Sequence, residues 1–242
     1  MSRIVTIKTV TQLALLPRIF PMNCYFVEEK DGLTLIDTGM AFGAKSILQA
    51  ASQLGKPIAR IVLTHAHLDH VGALDLLIEA MPDVPVYISE RDAKLLGGDM
   101  SLLPGEPDLP IRGSMPTKVE TRADVLLQEG DHVGSLLAVA VPGHTPGSMA
   151  FLDTRNRILI AGDAFQTRGG IAVAGRMRLG FPFPAIATWS KREAVASAKK
   201  ISELQPTLLA VGHGSMLENP ADAIRQAIKE AEMARALIRE PK

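Results

Sequence analysis

Four side chains able to ligate a metal fall within six residues, His65-Ala66-His67-Leu68-Asp69-His70, and this cluster constrains the fold more than any other feature of the chain. It follows directly on Arg60–Thr64, a β-branched run with the character of a buried strand. In extended backbone alternate residues share a side, so His65 and His67 can reach one ion. Asp69 and His70 belong to the turn into the next helix and can face a second. Imidazole nitrogen and carboxylate oxygen suit zinc, iron or manganese, and the absence of cysteine among them argues against a closed structural zinc site.

Three further acceptors sit at strand ends in the same way. His144 follows Leu136–Val141 within Pro142-Gly143-His144-Thr145-Pro146-Gly147, Asp163 follows Ile158–Ala161, and His213 follows Leu208–Val211 within Gly212-His213-Gly214. The neighbouring glycines let the backbone turn sharply where a ligand must point inward.

The rest of the chain supplies a frame for such strand ends. Extended segments are predicted at Ile4–Val10, Asn23–Glu28 and Leu33–Ile36, the last two joined as a hairpin across Asp31-Gly32. Helices are predicted at Gly43–Leu54, Leu74–Ala80, Glu90–Leu96, Trp189–Leu204 and Ala221–Ile238, and strands at Val84–Ser89, Val125–Gln128 and Ser148–Leu152. This alternation describes an α/β chain read as one domain over residues 1–242. Two stretches, Gly97–Thr121 and Gln166–Pro184, are irregular and long enough to be functional loops.

The set HAHLDH, PGHTPGS, AGD and GHG, with Ile36-Asp37-Thr38-Gly39 before it, resembles the metallo-β-lactamase superfamily from Asp37 over nearly the whole chain. The resemblance implies an αβ/βα four-layer sandwich with metals at one edge between two sheets. It implies that His65, His67 and His144 hold one ion, that Asp69, His70 and His213 hold another, and that Asp163 bridges them. The expected cofactors are two divalent ions, zinc first, with manganese or iron also compatible. Aspartate at position 163, where zinc β-lactamases often place cysteine nearby, is more like the glyoxalase II and lactonase branches.

Such a centre activates water and polarises a carbonyl, so a hydrolase of lactones, esters or thioesters is expected, with the lactonase-like reading favoured. Asp69 is either a ligand only or also the group that shuttles a proton. Asp37 is either an acceptor orienting a ligand or a turn former. His132 is expected on the surface. Only 29 residues follow His213, against the longer helical segment of glutathione-binding members, and no tyrosine follows Asp163 closely as in quorum-sensing lactonases. A mononuclear iron persulfide dioxygenase and a glyoxalase II-type thioester hydrolase are the alternatives.

A small-molecule substrate fits the charge balance. With 26 basic and 26 acidic residues there is no basic excess for nucleic acid, and no apolar run is long enough for a membrane. A start without a secretory stretch and a single cysteine give a cytoplasmic expectation. Substrate contacts are expected from the second loop, through Phe165, Met177, Phe181 and Phe183, with Leu102, Leu103 and Met115 opposite. An apolar loop of this kind either roofs an acyl pocket or forms a homodimer contact.

Overall fold

In the computed structural model, which describes residues 2–237, two β-sheets face each other and helices cover both outer faces. The first sheet holds seven strands in chain order: β1 (Ser2–Ile7), β2 (Val10–Leu15), β3 (Met22–Glu28), β4 (Leu33–Ile36), β5 (Ile58–Val62), β6 (Val86–Ser89) and β7 (Val125–Leu127). β1 to β4 pair antiparallel and β4 to β7 parallel. The second sheet contains β8 (His132–Val133), β9 (Leu136–Ala140), β10 (Met149–Asp153) and β11 (Ile158–Ile160). A two-stranded ribbon, β12 (Phe165–Gln166) with β13 (Ala172–Val173), stands apart, and β14 (Leu208–Ala210) and β15 (Leu217–Glu218) complete the second sheet in the order β15-β14-β11-β10-β9-β8.

Alternation along each strand builds three apolar layers. Cys24, Phe26, Ile61 and Leu63 turn outward under α1 (Ala44–Leu54), α2 (Leu68–Val71), α3 (Leu74–Ala80) and α4 (Glu90–Leu96). Tyr25, Val27, Ile36 and Val62 turn inward and meet Met149, Phe151, Ile158, Ile160 and Leu208 of the second sheet. On the far side Ala150, Leu152, Leu159 and Leu209 lie under the two long helices. These follow the short α5 (Phe183–Ile186) and are α6 (Lys191–Glu203) and α7 (Ala221–Leu237). The result is the expected αβ/βα sandwich. Among the described residues no helix is long and apolar enough to cross a membrane.

The structure departs from the sequence expectation at the amino end and in the second loop, where β12, β13 and α5 stand in or at the ends of a stretch expected to be irregular. The segment Ile4–Val10 is broken by a left-handed Lys8 (φ 53°), so β1 ends at Ile7 and the following Val10–Leu15 is a separate buried strand, β2. The last helix runs from Ala221 to Leu237, and its expected end at Ile238 lies outside the described residues.

The topology brings the ligand-bearing turns together. β9, β11 and β14 run in one direction, because β10 is antiparallel to both its neighbours and β14 is parallel to β11. Their carboxyl ends therefore share an edge, and they face the carboxyl ends of β4 and β5 across the sandwich. Met149 N donates to Thr64 O (2.8 Å) and Asn23 N to Gly212 O (2.9 Å), tying the two sheets at that edge.

Candidate metal centre

The turn after β5 carries His65 and His67, and α2 starts at once with Asp69 and His70. The turns after β9, β11 and β14 present His144, Asp163 and His213 to the same space. All five imidazoles and Asp163 are buried, and Asp69 keeps 22% of its side chain exposed. Three overlapping groups have donor atoms within 4.8 Å of one another: His65, His67 and His144; His65, His70 and Asp163; Asp69, His70 and His213. Asp163 reaches both ends, with Oδ2 at 3.3 Å from His144 Nε2 and 3.1 Å from His213 Nε2, and Oδ1 at 3.5 Å from His70 Nε2.

Outer partners fix which nitrogen of each ring points inward. Thr64 Oγ1 gives its one proton to Asp37 Oδ2 (2.7 Å), so it accepts from His65 Nδ1 (3.0 Å) and leaves His65 Nε2 for the centre. Thr188 likewise donates to Pro184 O (2.7 Å) and accepts from His144 Nδ1 (3.2 Å). His70 Nδ1 donates to Asp37 Oδ2 (2.7 Å) and His213 Nδ1 to Pro21 O (2.6 Å). His67 is turned the other way: its Nε2 donates to Arg112 O (2.8 Å), and its Nδ1 faces His144 Nε2 at 2.9 Å. These assignments bring two acceptor nitrogens face to face, an arrangement that calls for a positive charge between them.

The buried atoms without partners complete the fit. His65 Nε2, His70 Nε2 and Asp163 Oδ1 find no hydrogen bond although they are fully covered. A buried polar group is costly unless it is satisfied, and these three aim at the shared centre. The donor set of imidazoles and carboxylates fits divalent metal ions.

Without ions the site is divided electrostatically. Burial, aided by the neighbouring imidazoles, holds His65 well below its ordinary value, and burial brings His144 down to about 3. Burial also opposes charge on His70, yet Asp163, Asp37 and Asp69 outweigh it and push the ring up to about 9. His213 is likewise driven well above its ordinary value, against burial, by Asp163 and Asp69. Asp69 and Asp163 stay below the usual carboxylate range despite burial, because these histidines face them.

Asp37 serves as the orienting acceptor: it holds a left-handed conformation (φ 58°) and also accepts from Thr64 N (2.7 Å). A second carboxylate, Asp92 in the first turn of α4, has no forewarning in the sequence. Its Oδ2 accepts from Ala66 N (3.0 Å), between two ligands, and from Thr145 Oγ1 (2.6 Å), beside His144. Its Oδ1 accepts from Gly147 N (2.8 Å). Asp92 thereby buckles the two ligand turns together. In sequence it reads only as an acidic residue behind the helix cap Ser89, whose Oγ accepts from Asp92 N (3.0 Å). His132 is exposed on β8, as expected.

Above the centre opens a cavity of about 510 Å³, bordered by five of the seven ligands and by Leu16, Phe20, Met22, Met40, Phe42, Leu68, Phe183 and Ile186. The substrate contacts expected of the second loop need correction. Phe183 borders the cavity, but Phe165 is buried in β12 under the helical layer. Phe181 is buried behind the wall, its ring 5.0 Å from Phe20, 5.2 Å from Phe183 and 5.3 Å from His213. Met177 is exposed and borders no part of the cavity. From the first loop, Gly113 and Ser114 border it, whereas Leu103 lies in another groove and Met115 packs on the first core. Phe20 and Phe42, which the sequence did not single out, take the expected place of the loop aromatics.

Residues 18–213 match the Metallo-beta-lactamase superfamily. The chain is 55% identical over 229 residues to the uncharacterized protein YobT of Bacillus subtilis (strain 168), covering 95% of this chain and 98% of that one. It is 31% identical to the probable metallo-hydrolase YflN of the same organism, over 79% and 80% of the two chains. Among solved structures it resembles TTHA1623 in a di-iron-bound form, at 30% identity and a TM-score of 0.61, covering 84% of this chain and 92% of that one. With this match over most of its length and the His/Asp cluster assembled between its sheets, the chain belongs to the metallo-β-lactamase superfamily and is a metal-dependent hydrolase.

Proposed function

We propose that the chain hydrolyses an ester, lactone or thioester at a centre of two divalent ions, with lactone-like substrates favoured. The observation that carries this reading is the overlap of the donor groups: seven side chains, more than one ion can use, with Asp163 reaching into both ends. His65, His67 and His144 would hold one ion, Asp69, His70 and His213 the other, and Asp163 both. Zinc suits the donor set, and iron is supported by the di-iron form of TTHA1623. When bound, such ions acidify water and polarise a carbonyl oxygen.

The chain's own groups do the rest. The outer acceptors hold each imidazole in one orientation, so the ligands need no rearrangement as charge develops. Asp69 is the most exposed of the seven candidate ligands, and it borders the substrate cavity. Its carboxylate is placed to take the proton of the attacking water and return it to the leaving oxygen or sulfur.

Elemental analysis and a substrate screen test the reading together. Protein loaded with zinc or iron is expected to hold two ions per chain and to turn over lactones or esters faster than β-lactams and phosphodiesters. One iron per chain with oxygen consumption on a persulfide, or phosphodiester cleavage without acyl hydrolysis, would overturn it.

A further inference from the structure

The wall of the cavity has a chemistry that bond cleavage alone does not require. Leu16, Phe20, Met40, Phe42, Phe183 and Ile186 form it, and no lysine or arginine borders the cavity among the described residues. Ser114 supplies the cavity's one side-chain hydroxyl among the described residues. Arg112, next in sequence to the bordering Gly113, gives the site only its carbonyl, and its side chain is exposed. A charged group moved into such a wall loses its hydration and gains no partner.

One side of the wall is fixed and the other is open. Phe20 is held between Phe181 and Phe183, with centroids at 5.0 Å from each, and lies 5.3 Å from the His213 ring. Phe42, Phe183 and Ile186 remain 57%, 51% and 56% exposed around the mouth. Apolar surface left in water at the rim of a cavity is surface that a ligand can cover. A volume of about 510 Å³ is within the range of small-molecule sites.

We propose that the substrate carries an uncharged, apolar acyl arm that lies along this wall, and that arms ending in a charged group are rejected. The proposal rests on the hydrolase reading only in placing the scissile carbonyl at the metal end of the cavity. It also disfavours a glutathione thioester, whose leaving thiol, rather than its acyl part, would bring an arm with one ammonium and two carboxylates into the same apolar cavity. Such an arm needs cationic partners that this wall does not offer.

Binding, not turnover, tests it. The full-length protein, as purified with its metal, is titrated calorimetrically with straight-chain primary amides from butanamide to decanamide. The amide end meets the same metal centre throughout the series, so differences report the wall. Affinity should rise about fourfold per added methylene until the cavity is filled. An amide of equal length ending in sulfonate, an anion that ligates metals poorly, should bind at least about tenfold more weakly. Ile186→Ala and Phe183→Ala should flatten the chain-length slope. An affinity independent of length, or equal binding of the sulfonate-ended amide, would overturn the proposal with the wild-type protein alone. Steep chain-length dependence without hydrolysis of any acyl substrate would instead refute the reaction and leave the arm specificity standing.

Discussion

Replacing Gly113 by alanine should damage the centre without touching any ligand. His67 Nε2 donates to the carbonyl of Arg112 at 2.8 Å, and that approach is open only because the next residue lacks a side chain. A Cβ on residue 113 would stand 2.1 Å from His67 Nε2 and 2.5 Å from Cε1. Real Cβ contacts essentially never fall under 3.0 Å, so the ring or the loop must move by about 0.9 Å or more. Gly113 also sits at φ +99°, where a side chain adds backbone strain of about 1–3 kcal/mol. Misplacing a group near the chemistry by about 1 Å costs about a hundredfold in rate. The expected result is a fall of that order in kcat/KM, with reduced metal content.

Gly105→Ala separates the two contributions. Gly105 has a similar conformation (φ +90°) but nothing within 4 Å of a built Cβ. It should lose stability by a similar amount in thermal melting yet keep its metal and turnover. Elemental analysis and ester hydrolysis of both variants, side by side, give the comparison. If Gly113→Ala tracks Gly105→Ala in metal content and kcat/KM, the imidazole is not held where the geometry places it.

Three further outcomes follow from the same contacts. Asp37→Asn puts an amide NH2 where one of two accepting oxygens stands, Oδ1 facing Thr64 N and Oδ2 facing Thr64 Oγ1 and His70 Nδ1, so metal affinity measured by chelator competition should fall about 10–100-fold; unchanged affinity would show that His70 needs no orienting partner. Asp92→Ala strands the buried donors Ala66 N and Gly147 N, at about 1–3 kcal/mol for each left unsatisfied, while Thr145 Oγ1 can still donate to Ser148 Oγ (2.7 Å), and should lower both the denaturant midpoint and metal retention; loss of stability with metal retention intact would make it a packing residue only. Loading metal at pH 7 should release protons, because His70, raised to about 9, and His213, also raised, are charged in the metal-free protein and must be neutral as ligands, whereas His65 and His144, held low, have none to give; heats of binding that do not vary with the ionisation enthalpy of the buffer would contradict this.

Much of the frame was legible because local chemistry and periodicity agree there. The helices at Leu74–Ala80 and Glu90–Leu96 and the strand Leu33–Ile36 match the expected bounds. β2 was not legible, since the turn before it is made by Lys8 and Thr9, neither of them a glycine, proline or asparagine. The seven candidate ligands stand in short motifs at strand ends, and the structure brings all of them to one edge. What holds them is far less visible. Two of the five outer acceptors are the carbonyls of Arg112 and Pro21, and a carbonyl is common to every residue. The cavity wall was misjudged for a related reason. Phe165, just before the second loop, and Phe181 within it turn inward, so the aromatic side chains that border the cavity come from Phe20, Phe42 and Phe183, far apart in sequence.

A centre drawn from two sheets is only as well placed as the joint between them. Apolar packing across the inner layer, Val27, Ile36 and Val62 against Phe151, Ile158 and Leu208, is strong but not directional. Sliding one sheet over the other would separate His65 and His67 from His144 and His213 at modest cost in burial. Directional contacts at the site edge oppose that slide. Tyr25 Oη donates to Val211 O (2.6 Å) and accepts from Val211 N (3.0 Å), at the root of the His213 turn. Asn23 Nδ2 donates to Val211 O (2.7 Å) and Gly214 O (2.8 Å), on either side of that ligand. Burial pushes the Tyr25 phenol well above its ordinary value, so it remains a donor wherever the protein is folded. β3 thus grips the His213 turn through polar side chains inside an apolar layer, where breaking a hydrogen bond leaves the partners unsatisfied. The inner sheet faces supply the adhesion, and Asn23 and Tyr25 supply the register on which the spacing of the ligands depends.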